Sequence, residues 1–271
     1  MDKEQLIEKI AEQIPVKDIY EDGFKPATNS TGQLLGLIPR AINAALTPLQ
    51  KWILNKEYNV KETEKLLEKK LEKLNPNLIT PPEPHIAVPA IQSISYCMDN
   101  ENLREMYANL LASSMIKDKQ NDVHPSFVEI IKQLSPDEAK ILKYLYQKKI
   151  EPIINLRREN KKQQGGISII DYFSLIGEYS NCDFNHRIPS YLENLERLKL
   201  IEIDFMAYIT TPGTYDFLIT HPTITAYTSI TNDENYKYET MNGYTKMTNY
   251  GKNFCDICIA DISNTEIFVI K

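Results

Sequence analysis

Several residue types that support common activities are scarce in this chain of 271 residues. It has only 9 glycines, and no glycine-rich phosphate loop, nucleophile elbow or zinc-protease motif occurs. The 4 cysteines are too few for a disulfide framework in a chain of this length. The sequence therefore predicts no cofactor and no catalytic activity, and it favours a reducing, cytoplasmic location.

Arginine and net positive charge are also scarce. The formal net charge is -6 at pH 7, and only six of the basic residues are arginines. A general nucleic-acid binder normally presents a basic surface, and arginine is the residue best suited to bidentate contacts with phosphate or guanine. The composition therefore argues against a general nucleic-acid binder.

Long apolar runs are absent as well. No window of about 18 residues is free of both charge and proline, so the sequence predicts no transmembrane helix. The charged start of the chain lacks the apolar region of a signal peptide. The least polar stretch, residues 31–54, is predicted to be a core or oligomer-interface helix, with an amphipathic membrane-surface helix as the alternative.

Hydrophobic periodicity predicts a helical N-terminal domain over residues 1–120. Helical spacing is clearest in residues 3–14, 56–74 and 99–115. Residues 78–90 contain four prolines, which predicts an extended connector rather than a helix.

A strong helix start follows this domain. Ser135 can cap the helix, Pro136 can occupy its first position, and Glu138 can close a capping box. The helix is expected to continue through Tyr146.

Residues 121–271 are predicted to form a winged-helix-like domain. Further helices are expected at residues 168–178 and 189–199, a strand at 200–205, and a return strand at 244–247 that leads into a helix capped by a threonine. The order of helix, helix, helix, strand, strand and helix resembles a winged helix-turn-helix. We therefore expect an α+β protein that is mostly α.

The connection between the two predicted strands is too long for an ordinary wing. It spans residues 206–243, and a connection of that length usually has structure of its own. Residues 208–210, 217–220 and 223–227 are rich in the β-branched and aromatic residues that are typical of strands. The sequence predicts a small β insertion at about residues 206–243.

One strongly basic segment lies within this acidic chain. Residues 140–162 contain eight lysines and arginines against two glutamates, a net charge of +6. A surface that binds nucleic acid or another anion is the functional interpretation, and a solvated helix end with a loop is the alternative. The candidate binding residues of this segment are Lys148, Lys149, Arg157, Arg158, Lys161 and Lys162.

The helix predicted at residues 189–199 would enter the major groove if the domain bound DNA. Its outward residues are expected to be Arg187, Ser190, Tyr191, Asn194 and Arg197. Glu193 and Glu196 lie on the same helix and would face phosphates unfavourably. These two glutamates weaken the case for DNA.

Two further motifs have structural alternatives. Cys255 and Cys258 form a lone C-x-x-C, for which two buried cysteines one helical turn apart are the favoured interpretation over a metal or redox site. Asp137, Glu138 and Lys140 resemble the acidic-lysine core of metal-dependent nucleases, but a helix cap explains all of them except Lys140. The four histidines are isolated from one another in the sequence.

Several contiguous stretches carry a resemblance to a known family. They are residues 78–82 (LITPP), 86–90 (IAVPA), 103–112 (LREMYANLLA) and 124–139 (HPSFVEIIKQLSPDEA). These stretches resemble the abortive infection alpha (Abi-alpha) family, and the similarity covers about residues 30–140. The resemblance implies a role in bacterial phage exclusion and brings no catalytic residues with it.

The leading hypothesis is a non-enzymatic anti-phage protein that acts through binding or assembly. The winged-helix-like domain would contact an unknown protein or phage-derived trigger, and the N-terminal helices would mediate homo-oligomeric assembly or the toxic output. A winged-helix DNA-binding regulator and an effector that acts on a membrane surface through residues 31–54 are the alternatives. A metal-dependent nuclease that uses Glu138 is a remote fourth hypothesis.

Overall fold

The protein divides into two compact units. A computed structural model describes residues 57–72, 74–75, 78–94, 96–97, 100–230 and 233–262. The first unit consists of two chain segments, one up to Gln133 and one from Ile257 onwards, and the second unit runs from Leu134 to Asp256. The boundary predicted after residue 120 falls within the first unit.

Two predicted segments are outside this part of the chain. The short helix at residues 3–14 and the apolar stretch at residues 31–54 both lie outside the described residues. None of the helices in the described part is long and apolar enough to cross a membrane.

The first unit is mainly helical where it is described. Its helices are α1 (Glu57–Leu71), α2 (Pro84–Ile94), α3 (Glu101–Ser114) and α4 (Ser126–Lys132). Asn100 caps α3, because its side-chain oxygen accepts a hydrogen bond from the backbone N–H of Leu103 (3.0 Å). Tyr107, Leu110 and Leu111 are buried on α3, which packs against α1, α2 and α4. The helical spacing predicted for residues 99–115 is confirmed.

The extended connector predicted for residues 78–90 is wrong in its second half. Helix α2 begins at Pro84, where the missing N–H would have no partner within the helix in any case. Pro89 lies inside the helix, yet Ile86, Ile91 and Ile94 are buried together along one side. Burial of this apolar stripe outweighs the hydrogen bond that Pro89 cannot make.

The second unit contains a four-stranded antiparallel sheet flanked by helices. In chain order its elements are α5 (Pro136–Lys148), β1 (Ile150–Asn160), β2 (Gly166–Phe173), α6 (Ile176–Tyr179), α7 (Ile188–Arg197), β3 (Ile201–Asp204), α8 (Asp216–Ile219), α9 (Pro222–Thr228), β4 (Tyr236–Met247) and α10 (Asn249–Cys258). The strand order is β2-β1-β4-β3, and each neighbouring pair is antiparallel. The predicted α+β class, mostly α, is confirmed.

The strand pairing expected at the end of the second unit is also confirmed. Ile201 of β3 lies opposite Met247 of β4, and Asp204 lies opposite Tyr244. Helix α10 follows β4 directly.

Thr248 and Gly251 fix the start of α10. The side-chain oxygen of Thr248 accepts a hydrogen bond from the Gly251 N–H (2.8 Å), as expected for a capping threonine. A Cβ atom at Gly251 would lie 1.9 Å from the carbonyl oxygen of Leu200. Only glycine therefore allows α10 to start this close to β3.

Two predictions for the sheet region are wrong. Residues 150–160 form strand β1 rather than a helix end and loop, and residues 166–173 form strand β2 rather than part of a helix. Only Ile176–Tyr179 is helical within the segment predicted as a helix at 168–178. The isoleucines in such short apolar runs are compatible with both the 3.6-residue repeat of a helix and the two-residue repeat of a strand. Pairing with a strand that is distant in sequence therefore decides between the two.

The strands predicted within the insertion are wrong as well. Residues 216–219 and 222–228 are the helices α8 and α9, and residues 208–210 form no strand. Leu218 and Ile224 of these helices pack with Ile154 and Leu156 of β1 in one buried cluster. Packing against the sheet outweighs the β propensity of the residues involved.

Polar side chains of α3 bind the last turn of α10 within the first unit. The Asn109 amide donates to the carbonyl oxygen of Cys258 (3.0 Å), and the Ser113 hydroxyl donates to that of Ile257 (3.1 Å). The last four carbonyl groups of a helix have no partner within it. These two side chains therefore satisfy carbonyl groups that the helix itself leaves without donors.

Candidate functional site

The basic segment is divided between the two ends of strand β1. Lys148 ends α5, Lys149 follows it, and both side chains are exposed before β1 begins. Lys161 and Lys162 follow the last residue of β1. An 11-residue strand is about 35 Å long at the usual rise per residue, so the two lysine pairs are far apart. The candidate residues do not form one continuous cationic patch.

The cations at the far end of β1 have partners within the second unit. The Lys161 ammonium donates to the carbonyl oxygen of Asp233 (2.7 Å), and the Lys162 ammonium donates to the side-chain oxygen of Asn235 (2.7 Å). The Arg158 guanidinium lies over the ring of Tyr236, 4.6 Å from its centroid. These contacts fasten the end of β1 to the segment that enters β4.

Arg157 and Asp233 form further contacts near this end of β1. The Arg157 guanidinium forms an ion pair with Glu159 (2.8 Å) on the same side of the strand. The Asp233 carboxylate accepts hydrogen bonds from the backbone N–H groups of Asn235 and Tyr236, which lower the pKa of that carboxyl. Arg157 is therefore in an ion pair, whereas Lys161 and Lys162 are exposed and donate to neutral oxygen atoms.

Helix α7 presents a mixed face to solvent. Arg187, Ser190, Glu193 and Arg197 are exposed, while Tyr191 is buried. The expectation that Tyr191 points outward is wrong, because its hydroxyl group contacts the buried carboxylate of Asp137. The exposed face carries both signs of charge.

The other predicted residues of this helix contact neighbouring side chains. The Asn194 amide donates to Glu138 Oε1 (2.7 Å) and accepts from Arg197 (2.6 Å from its terminal nitrogen). The Arg187 guanidinium lies 5.3 Å from the ring centroid of Phe184.

The start of α5 forms a buried polar cluster. The predicted capping box between Ser135 and Glu138 is confirmed, with Pro136 at the first turn. Lys140, which the cap leaves unexplained, forms ion pairs with Asp137 (3.1 Å) and Asp183 (2.8 Å).

The carboxylate of Asp137 is surrounded by donors. The backbone N–H groups of Asp183 and Phe184 each donate to it at 3.0 Å, and the Tyr191 hydroxyl donates at 3.3 Å. Burial tends to raise the pKa of Asp137, but these backbone donors and the Lys140 ammonium outweigh it, so the pKa is lowered. This carboxylate anchors the segment before α7 and has little capacity left for a metal ion. Across the described residues no group of three metal-ligating side chains occurs.

The two cysteines of the C-x-x-C motif are buried one turn apart in α10. Cys255 and Cys258 are both fully buried, which confirms the favoured interpretation of the motif. Burial raises the pKa of the Cys255 thiol, so this group stays protonated and unreactive near neutral pH.

A cavity of about 400 Å³ lies between the end of β2, α6, the start of α7 and α9. This volume falls within the usual range of small-molecule pockets. The lining includes aromatic and polar side chains, among them Tyr172, Phe173, Ser174, Glu178, Asn185 and His221. We refer to it as the β2–α9 cavity.

A bulge in β2 shapes one wall of the β2–α9 cavity. Strand β1 contributes one residue, Asn155, where β2 contributes two, Asp171 and Tyr172. Tyr172 has a positive φ of 54°, which is costly for a residue with a side chain, and its N–H donates to the side chain of Asn155 (2.8 Å). Strained residues and bulges are found preferentially at ligand sites, where they redirect side chains.

Two of the residues that line the cavity have polar side chains in different surroundings. The His221 Nδ1 accepts a hydrogen bond from the backbone N–H of Thr223 (3.2 Å), and the ring lies 5.0 Å from that of Phe173. The hydroxyl of Ser174 is inaccessible to solvent, and none of the described residues forms a hydrogen bond with it. An unpartnered buried hydroxyl costs free energy, so it needs an explanation.

The family comparison covers both units described above. The model of the abortive infection alpha family matches residues 55–258, about three quarters of the chain. The protein belongs to the abortive infection alpha family. The family match begins after residue 30 and extends well past residue 140, so the limits expected from the sequence resemblance are corrected at both ends. No curated protein and no solved structure matches the chain.

For this member of the abortive infection alpha family, sequence reasoning missed the β2–α9 cavity. His186 and His221 both line it, although they are isolated from one another in the sequence. Only the turn from β2 into α6 and the packing of α9 bring them to one place. Pro222 follows His221 directly and indicates a helix start there. This local signal could have predicted that His221 caps a helix.

Proposed function

We propose that the protein is a non-enzymatic anti-phage protein of the abortive-infection type, and that its second unit is a winged-helix-like binding module. Family membership supports the anti-phage role. One observation carries the binding module: α5, β1, α6, α7, β3 and β4 follow one another in the order of a winged helix, with β4 paired between β1 and β3. In this proposal β2 and the α8–α9 segment are additions to the winged helix.

Helix α7 is the recognition element of this proposal. It follows the short helix α6 and precedes β3, as the recognition helix does in a winged helix. Ser190, Glu193 and Arg197 of the helix, with Arg187 directly before it, form its exposed face, which carries positive, negative and neutral groups. A face of mixed charge suits a protein partner better than a phosphate backbone.

Charge further supports a protein or phage-derived trigger as the partner. Residues 134–256 contain fourteen lysines and arginines against sixteen aspartates and glutamates, a net charge of -2. Arg157, Arg158, Lys161 and Lys162 also have partners within the unit. A unit with this charge gains little from counterion release on DNA.

A winged-helix DNA-binding regulator is the second candidate. Arg187 and Arg197 on the exposed side of α7, together with Lys148 and Lys149, favour it. It predicts affinity for duplex DNA that falls steeply with salt and drops on charge reversal at Lys148 and Lys149. Binding that is undetectable, or that salt does not change, rejects it. A membrane surface as partner of residues 31–54 and a homo-oligomer through the N-terminal helices remain proposals of the sequence alone.

The anti-phage role is tested by growth in liquid culture under phage infection, with and without the gene, at low and high phage dose. Abortive infection predicts survival of the culture at low dose and collapse at high dose, because infected cells die without releasing phage. Equal lysis of both cultures across a broad phage panel contradicts the proposal.

A further inference from the structure

We propose that the outer edge of strand β2 pairs with the same edge of a second copy of this chain, in an antiparallel arrangement with Ile167 on the two-fold axis. The residues that pair are Gly166, Ile167 and Ser168, and we refer to them as the β2 edge. The two four-stranded sheets then form one continuous sheet of eight strands. This surface is separate from the binding face proposed on α7.

The β2 edge has backbone groups that point away from the sheet. Strand β2 is the last strand on its side of the sheet, and β1 is its neighbour. The Asn160 N–H donates to the carbonyl oxygen of Gly165 (3.0 Å), and the residues that bond to β1 alternate from there, so Ile167 is the next one. The N–H and C=O groups of Gly166 and Ser168 therefore face outward, and none of the described residues forms a hydrogen bond with them.

The sequence of β2 leaves this edge unprotected. Natural sheets discourage pairing at an exposed edge with lysine, proline or a bulge. Residues 166–170 (GISII) contain no charged residue and no proline. Pairing with β1 is regular from Gly166 to Ser168, and the bulges of β2 come after Ser168, where the Tyr172 ring lies 6.1 Å from that of Phe205. The beginning of β2 is therefore open to a further strand.

The β2 edge is complementary to itself. When Gly166 of one copy lies opposite Ser168 of the other, their outward groups can form four hydrogen bonds across the two-fold axis. Ile167 then lies opposite the partner's Ile167 in a pair without hydrogen bonds, the type of pair in which side chains are closest. The Ile167 side chain is 53% exposed, so this contact buries apolar surface that a single copy leaves in water.

Opposite charges at the two ends of β2 favour a second copy over an unrelated strand. The exposed lysine pair at residues 161–162 precedes the strand. At its other end, burial raises the pKa of the Tyr172 hydroxyl, and the negative charges of Glu196, Glu193 and Asp171 raise it further, so these carboxylates lie near. Antiparallel pairing places the lysine end of one copy beside the carboxylate end of the other.

Association of the full chain is measured by sedimentation equilibrium at protein concentrations from micromolar to millimolar. The mean mass should rise with concentration from that of one chain, 31.3 kDa, towards twice that value. The rise should be gradual and reversible, because a few hydrogen bonds and one apolar contact give a small interface.

Ile167→Lys and Ile167→Glu test the position of the two-fold axis. Each variant places like charges directly opposite one another, so each alone should associate at least about 10-fold more weakly than the wild type. An equimolar mixture of the two should recover dimers, because a lysine of one copy then faces a glutamate of the other. Recovery in the mixture also shows that both variants are folded.

Ile230→Lys and Ile230→Glu are the matched controls. Ile230 is an isoleucine of the second unit that is 45% exposed and lies outside the sheet. Both controls should associate like the wild type.

The inference is overturned if the wild type remains a monomer at millimolar concentration. Association that both Ile167 variants leave unchanged means that another surface forms the dimer, and it overturns the inference as well. A mixture that associates no better than either variant alone contradicts the two-fold contact at Ile167.

Discussion

Serine hydroxyl groups that solvent cannot reach have different surroundings in the two units of this protein. In the first unit, Ser113 donates to the carbonyl oxygen of Ile257 (3.1 Å) and Ser114 donates to that of Leu111 (2.7 Å). In the second unit, the buried hydroxyl of Ser174 has no hydrogen-bond partner among the described residues. A paired hydroxyl stabilises a fold and an unpaired one costs free energy. Ser113 and Ser114 therefore stabilise the fold through hydrogen bonds, whereas the Ser174 hydroxyl forms none with the described residues.

The largest expected effect comes from the buried polar group with the most donors. Asp137→Ala leaves the N–H groups of Asp183 and Phe184 without their acceptor and removes the buried partner of Lys140. We expect it to lower the free energy of unfolding by about 3 kcal/mol, measured by urea denaturation. Asp183→Ala is the control, because Asp183 is exposed and its ion pair contributes at most about 1 kcal/mol. Equal losses in the two variants would contradict the assignment of Asp137 as the anchor.

The same carboxylate predicts a dependence of stability on pH. The pKa of Asp137 is lowered in the folded protein, so its contribution is present above the unfolded pKa of about 3.9 and is lost as the pH falls through the folded pKa. The stability difference between the wild type and Asp137→Asn should therefore be largest near neutral pH and shrink in strong acid. Unfolding free energies measured from pH 7 down to pH 3 check this. A constant difference across that range would contradict it.

Ser113→Ala tests the paired side of the comparison. It leaves the Ile257 carbonyl oxygen in the last turn of α10 without the Ser113 donor. We expect a loss of about 1 to 2 kcal/mol in the free energy of unfolding. A loss near zero would mean that the hydroxyl does not hold α10.

Ser174→Ala tests the unpaired side and has the smallest expected effect. Because its hydroxyl has no described partner, removing it should leave stability unchanged or raise it by up to about 1 kcal/mol. Thermal unfolding of Ser113→Ala and Ser174→Ala beside the wild type should therefore give shifts of opposite sign, or a shift in Ser113→Ala alone. A clear loss of stability in Ser174→Ala would remove the contrast.

The sequence predicted helices well where the period was long and the caps were explicit. The spacing in α3, the capping box of α5 and the Thr248 cap of α10 are local signals, and local interactions determine them. The pairing of β3 with β4 was also predicted, because the alternating strand at residues 200–205 and the return strand before a threonine-capped helix match the order of a winged helix.

The remaining elements depend on contacts that are distant in sequence. β1 and β2 are strands because β1 pairs along its whole length with β4, about 85 residues later. α8 and α9 are helices because Leu218 and Ile224 pack on β1. The β2–α9 cavity arises from these same contacts, so no local pattern could reveal it. Tertiary packing outweighs the propensities of short segments in each case.

The central claim is that α7 is the binding face of an anti-phage protein. The most direct test compares phage plating on cells that produce the wild type, Ser190→Glu or Ser229→Glu. Both serines are exposed in the second unit, but only Ser190 lies on the exposed face of α7. The account predicts that phage form at least about 10-fold more plaques on cells that produce Ser190→Glu than on cells that produce the wild type, because protection is lost. Cells that produce Ser229→Glu should be protected as well as cells that produce the wild type. Full protection by Ser190→Glu, at equal protein levels, would contradict it.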